Sequence, residues 1–225
     1  MPSTKFKGYF ITIEGGEGSG KSTLLNQLGD YFRNKGFEVI QTREPGGTKL
    51  GESIRHLLLN HEDSISIGHQ AELLLFLAAR AQHIEELIQP ALKAGKIVLC
   101  DRFNDSTIAY QGAARGLNAK KIQEFCQLVC AEILPNWTLF LDVSPEIGLA
   151  RTQKIQKVHA QMGQLDRIES EKIEFHERVR QAFLSLVQQE PQRIYRIDAN
   201  ESQSKVLQKA LEFLEEQWSD SELKT

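Results

Sequence analysis

The chain has no apolar run approaching the roughly 20 residues that a membrane-spanning helix requires, which excludes an integral helical membrane protein. It has only three cysteines, Cys100, Cys126 and Cys130. That odd number lacks the spacing of a disulfide framework and suits a reducing compartment. Cys126 and Cys130 stand four apart on a predicted helix and share a face. With no other Cys or His at ligand spacing, they read as core rather than as a metal or redox pair. The net charge of −3 offers no general attraction to nucleic acid or anionic membrane. Any phosphate must therefore be held by local basic clusters. There are six prolines, no Pro- or Ser-rich linker and no internal repeat, so residues 1–225 read as one domain. Two lysines precede the first apolar run, but that run stops at Glu14, too short for the core of a secretory signal. The expected location is the cytoplasm, with neither a membrane nor nucleic acid as partner.

Two classes of nucleotide-binding protein are excluded by missing motifs. A guanine-reading switch needs Asn-Lys-x-Asp, but here Asn34-Lys35 is followed by Gly36-Phe37 and no Asp-x-x-Gly occurs. The Leu-Ser-Gly-Gly signature of transporter ATPases is also missing.

What is present begins at "YFITIEGGEGSGKSTLLNQL". Tyr9–Ile13 reads as a buried strand and Ser22–Asn34 as a helix. Between them Gly15, Gly16, Glu17, Gly18, Ser19, Gly20, Lys21 and Ser22 fit G-x-x-x-x-G-K-[ST], followed by Thr23. The glycines let successive backbone N–H groups turn toward phosphate oxygens, and the helix adds the positive end of its dipole. Lys21 is expected at the β- and γ-phosphates of a nucleoside triphosphate and Ser22 at Mg²⁺. "KIVLCDR" is an apolar strand ending in Asp101, a carboxylate placed to hold that Mg²⁺ through water. Asp142, at the end of "TLFLD", is a weaker candidate for the same role.

Further strands are predicted at Phe37–Gln41, Lys96–Cys100, Thr138–Val143 and Arg193–Ile197. Helices are predicted from the "REPGGTKLG" turn to Leu59, over Gln70–Lys93 with a possible kink at Pro90, from Asn118 to about Ile133, from Ser144-Pro145-Glu146 onward, over about 169–189, and over Ser202–Trp218. Residues 152–164 read as polar and irregular. Strands alternate with helices without a tight hairpin, which predicts an α/β fold with parallel strands and helices on both faces. Arg43 and Arg102 follow strand C-termini, the edge where such sheets bind ligands, and Arg80 lies on a helix able to pack nearby. Three guanidinium groups beside a phosphate loop suggest a second anionic ligand.

"IEGGEGSGKST", "TREPGGTKLGESIRHLLL", "ELLLFLAARAQH", "DRFNDSTIAYQGAARG", "LFLDVSPEIGLAR" and "LDRIE" occur together and in order. Taken together they closely resemble the bacterial thymidylate kinases, over about residues 9–200. The resemblance implies a P-loop NTPase fold with a five-stranded parallel sheet and a small mobile lid, here about 151–168. It implies transfer of a phosphoryl group from Mg-ATP to dTMP in dTTP biosynthesis, by a homodimer. It places Glu17 near the acceptor 3′-hydroxyl, Arg43 and Arg102 near its phosphate, Phe76 against thymine, Arg80 at the base edge, Thr107 as a base reader and Tyr110 beside the sugar carbon that lacks a hydroxyl. Gln111 is close enough in sequence to line the same pocket. Phe76 and Arg80 are four apart and share a helix face, which suits a stacking ring beside a fork donor. From the helix alone, Phe76 borders the apolar stripe of Leu73, Leu77, Ile84 and Ile88 and reads as core.

The lid departs from the family pattern. The phosphate loop contains no arginine, and none lies between Thr152 and Gln164. Lys154, Lys157 and His159 stand there instead, with Arg151 before and Arg167 after. Arg151 is expected to supply most of the lid charge and Lys154 the rest, while Asp166 and Arg167 either close over the acceptor or brace the lid. Two alternatives stay open: a related kinase with another acceptor, such as dUMP or a deoxynucleoside, and a nucleotide-binding protein without turnover.

Overall fold

The computed structural model describes residues 6–59, 66–158 and 167–218, with the backbone alone for 155–158. His159, Asp166 and the side chain of Lys157 lie outside the described residues.

Five parallel strands form one sheet in the order β2-β3-β1-β4-β5. They are β1 (Tyr9–Gly15), β2 (Val39–Arg43), β3 (Ile97–Asp101), β4 (Trp137–Asp142) and β5 (Ile194–Asp198). β1, β3 and β4 are central, and their nearly uninterrupted burial explains why each reads as a continuous apolar run. Along β1 the side chains alternate. Ile11 and Ile13 join the layer under α1 (Lys21–Asn34) and the C-terminal helix α9 (Gln203–Gln217), with Leu24, Leu28, Phe32, Ala210 and Leu214. Phe10 faces the opposite layer of Val98, Cys100, Phe103, Ile88 and Leu92. Phe140 continues that second layer beneath Val179 and Phe183 of α8 (Ile173–Gln189).

The second layer also holds α3 (His69–His83), which runs through a π-helical turn, Ile84–Ile88, into α4 (Gln89–Lys93). Pro90 is the possible kink in this helix. It has no N–H to donate to Glu86, and the turn ahead of it widens until Gln89 N–H bonds Ile84 O, so the strain is absorbed as a π turn. α2 (Lys49–Leu59) packs on α3, as does α6 (Ala119–Cys130). Asn118 caps α6, accepting from Lys121 N–H at 3.1 Å. Cys126 and Cys130 are buried in core clusters, and no group of metal-ligating side chains forms among the described residues.

Two sequence expectations are corrected by the structure. Residues 152–164 are expected to be irregular, but α7 (Pro145–Val158) stays helical as far as Val158, and 159–164 lie outside the described residues. The charged helix expected from Glu169 starts at Ile173, after a turn. The "FNDSTIAYQGAA" region forms α5 (Asn104–Thr107) and a second π-helical segment, Ile108–Ala114. Its polar and small residues give no helical stripe, because the segment is buried on most sides and carries pocket residues.

Candidate active site

The parallel register brings the strand ends together. Ile13 pairs with Asp101, and Arg43 also pairs with Asp101. The loop after β1, the Asp101-Arg102 corner and Arg43 therefore share one edge of the sheet, beside the point where strand order reverses around β1.

Gly18 and Gly20 adopt positive φ, 64° and 94°, as a loop curled around phosphate requires. Lys21 Nζ folds back over the loop, donating to Gly16 O at 2.8 Å and Gly15 O at 3.2 Å. Burial, then the charge of Arg102, lowers its pKa. Ser22 Oγ donates to Asp101 Oδ2 at 3.2 Å, while Asp101 Oδ1 is buried without a partner. A hydroxyl beside a carboxylate with a spare oxygen is the hard oxygen set that suits Mg²⁺. Asp142 does not compete for that role. Arg180 and Arg196 both bond it, the closest at 2.6 Å, so its charge is spent on binding α8 to β5.

Arg102 occupies the centre. Its backbone φ is 68°, an uncommon value for a residue with a Cβ. From there Nη1 reaches Gly15 O at 3.0 Å and Ser106 Oγ at 3.3 Å, and Nη2 reaches Glu17 Oε1 at 2.5 Å. The guanidinium also lies 4.8 Å from the Tyr110 ring centre, and the Tyr110 hydroxyl donates to Glu17 at 3.0 Å. Burial alone would raise the Glu17 carboxyl, but the charges of Arg102 and Lys21 outweigh it and hold the pKa at about 2. Beneath Arg102, Glu14 accepts from Phe103 N–H at 2.8 Å and Ser106 Oγ at 2.6 Å. Burial, followed by the Asp105 charge, pushes Glu14 up to about 7.

Two cavities meet here. A wide cleft runs along the phosphate loop from Glu17 to Thr23, past Arg43, Asp101, Arg151 and Lys154, to Ala199 and Glu201. A narrower pocket contains Phe76, Arg80, Thr107, Tyr110 and Gln111 in its wall. Glu17, Glu44, Arg55 and Arg102 line both.

Arg80 is buried between Glu44 Oε2 at 2.7 Å and Phe103 O at 3.0 Å, and its Nη1 is a buried donor without a hydrogen-bond partner. Phe76 is half-buried in the pocket wall, not sealed in the core with Leu73 and Leu77. Arg43 is exposed, bonded to Glu52 at 3.0 Å. Arg151 donates to Ala199 O at 2.9 Å and to Gly18 O at 3.5 Å, which sets it between the phosphate loop and the loop after β5. Arg167 binds Leu58 O at 2.9 Å and pairs with Glu72. It braces the segment against α2 and α3.

Glu44, Arg55 and Glu14 were missed from sequence. Glu44 follows a candidate arginine and Glu14 precedes the phosphate loop, but their pairings span tens of residues and leave no local trace. Arg55 is one charge on an amphipathic helix, and only packing brings it to the junction of the two cavities.

A phosphate loop beside a carboxylate with a free oxygen, opening into a second pocket of arginines and aromatic rings, defines a P-loop phosphotransferase of nucleotide type. The family model for thymidylate kinase matches residues 13–210. The chain is 46% identical to a thymidylate kinase of Pelobacter propionicus, over 86% of this chain and 87% of that one. It is 49% identical to one from a Synechococcus species, over 88% and 89%. The crystal structure of thymidylate kinase from Ehrlichia chaffeensis matches with a TM-score of 0.71 at 33% identity, over 92% of this chain and 98% of that one. The chain belongs to the thymidylate kinase family.

Proposed function

We propose that this protein transfers the γ-phosphoryl group of ATP to dTMP, yielding dTDP and ADP on the way to dTTP. The observation that carries this reading is the sharing of Glu17 and Arg102 between the phosphate-loop cleft and the aromatic pocket. Donor and acceptor phosphates then meet beside one guanidinium.

The acceptor phosphate is already ionised, so its oxygen attacks in line without a general base. Lys21 and Arg102 offset charge on the transferring group, with Arg151 as the main lid cation and Lys154 beside it. Ser22 and Asp101 would hold Mg²⁺, which would supply Lewis-acid charge to the phosphates beside it. The backbone of Gly15–Thr23 cradles the ATP phosphates. Arg43 and Arg102 hold the acceptor phosphate. Phe76 stacks on the base, and Arg80, Thr107 and Gln111 read its edge. Tyr110, bonded to Glu17, fills the space a ribose 2′-hydroxyl would need, while Glu17 faces the 3′-hydroxyl. Residues about 151–168 act as the lid of a single domain.

The test is ADP release from Mg-ATP with dTMP, dUMP, dCMP, dGMP, UMP and thymidine offered separately. Turnover is expected to be strong with dTMP, weaker with dUMP and slight with the others. Turnover chiefly with another acceptor would discard the pocket assignments and keep the donor site. Turnover with none would leave a nucleotide-binding role.

The protein is proposed to act as a homodimer in the cytoplasm. Its cysteines are free and buried, as a reducing compartment allows, and no described helix is long and apolar enough to cross a membrane. Leu50 and Leu57 on α2, Leu74 on α3, and Phe125 and Leu128 on α6 are large apolar side chains left exposed on packed helices. Light scattering is expected to give twice the 25.5 kDa chain mass. The double substitution Leu74→Glu, Leu128→Glu is expected to return the monomer; an unchanged mass would place the interface elsewhere.

A further inference from the structure

We propose that Glu72 is a specificity-determining positioning residue: it fixes which end of the Gln111 amide meets the acceptor base, and so selects a base with an imino N–H over one with a bare ring nitrogen. The proposal rests on reading the aromatic pocket as the acceptor site.

Glu72 lies on α3 one turn before Phe76 and two before Arg80, so all three share a face. Its side chain is fully buried, and it is absent from the walls of both cavities. Four donor groups converge on it: Gln111 Nε2 at 2.9 Å, Arg115 Nε at 3.2 Å and Nη2 at 3.3 Å, and Arg167 Nη2. Burial alone would raise its pKa, but hydrogen bonds from Gln111 and Arg167 and the charge of Arg115 bring it below the usual carboxylate value. At neutral pH it is ionised and can only accept.

A primary amide is not symmetrical. One end donates and the other accepts. With an obligate acceptor behind it, Gln111 must turn Nε2 toward Glu72. Flipping the amide would set Oε1 against a carboxylate in a buried place, leaving both without a donor. Gln111 lines the pocket, so the end of the amide held away from Glu72 is the carbonyl oxygen. An oxygen there pairs with the N3–H of thymine or uracil and repels the lone pair at N3 of cytosine. Arg80, a donor in the same pocket, pairs with a carbonyl and opposes an amino group. The arginines keep Glu72 charged and placed: Arg115 also binds Glu171, and Arg167 also binds Leu58 O.

The experiment measures kcat/KM for dTMP and for dCMP, with Mg-ATP, in the wild type, Glu72→Gln, Gln111→Ala and the double variant. Glu72→Gln keeps the shape but can donate, which frees the Gln111 amide to turn. The dTMP-to-dCMP ratio is expected to fall at least about tenfold, through the acceptor KM, with the KM for ATP unchanged. In the Gln111→Ala background the same substitution is expected to leave the ratio alone. Equal loss on both acceptors, with the ratio preserved, would mean Glu72 only supports the fold and would overturn the proposal. A ratio that falls in Gln111→Ala but not in Glu72→Gln would also overturn it, leaving the pocket reading intact. A ratio unmoved by Gln111→Ala, or a wild type inactive on dTMP, would overturn the pocket reading and the proposal together. Should Glu72→Gln fail to fold, Glu72→Asp, which withdraws the carboxylate by one methylene, is measured in its place with the same expectation.

Discussion

Arg102→Ala is expected to lower kcat by about 10³-fold or more, because the side chain is placed to serve both phosphates at once. It lies at the junction of the two cavities and holds Glu17 at 2.5 Å and the phosphate loop through Gly15 O at 3.0 Å. On the proposed function, removing it takes away a cation that serves the transferring group. It also leaves the Glu17 carboxylate, now held at about 2 largely by that charge, with Lys21 as its remaining close cation. The backbone adds a second readout. At φ 68° a residue with a Cβ is strained and glycine is not. Arg102→Gly is therefore expected to be as inactive as Arg102→Ala yet more stable by about 1 kcal/mol. Steady-state ADP release and thermal melts separate the two effects. Melting points that coincide would show that the surroundings, not the φ angle, carry the strain; a kcat within tenfold of wild type would remove Arg102 from the chemistry.

Gly148→Ala is expected to cost about 100-fold in kcat/KM for ATP, although Gly148 lies on α7 and bears no functional group. A Cβ at Gly148 would overlap the carbonyl oxygen of Glu17, and a Cβ at Gly18 would overlap the carbonyl of Gly148. The phosphate loop and α7 touch backbone to backbone, with no flexible side chain between them to yield. Alanine must push the loop or the helix away. Either movement shifts the N–H groups that face phosphate or tilts Arg151, one turn further along the helix, off Ala199 O. Gly112→Ala is the control: its Cβ would meet Ile122 Cδ1 at 3.4 Å, an ordinary contact, and activity is expected to hold. Normal kinetics in Gly148→Ala would show that α7 can retreat without moving the loop.

Glycine in "PEIGLAR" gave no sign of this contact, since a single glycine on a helix reads only as a weak position. Gly18 could be read, because the phosphate-loop spacing demands it. The contrast holds across the site. Lys21, Ser22 and Asp101 sit in motifs whose spacing reports the local backbone. Phe76 and Arg80 were placed on one face by helical period alone. Glu44, whose carboxylate holds Arg80, and Glu72, whose carboxylate holds Gln111, belong to pairs 36 and 39 residues apart. No period or motif connects such residues. Asp142 reads as the weaker metal candidate, but the reason was hidden in the same way, because its neutralising partners Arg180 and Arg196 arrive from α8 and β5.

The sequence by itself determined the elements and the donor chemistry: alternating strands and helices, a glycine loop that must curl, and a lysine, a hydroxyl and a carboxylate at the ends of buried runs. These are consequences of local backbone sterics and of burial patterns that repeat every two or 3.6 residues. Only the tertiary structure decided which charges remain available. Parallel register placed Arg43, Asp101 and Arg102 at one edge, and groups from α8, β5, α2 and α3 then tied up Asp142 and Arg167 and left Asp101 with a free oxygen. Whether a charge is spent or free depends on what packs against it, and packing is a property of the whole chain.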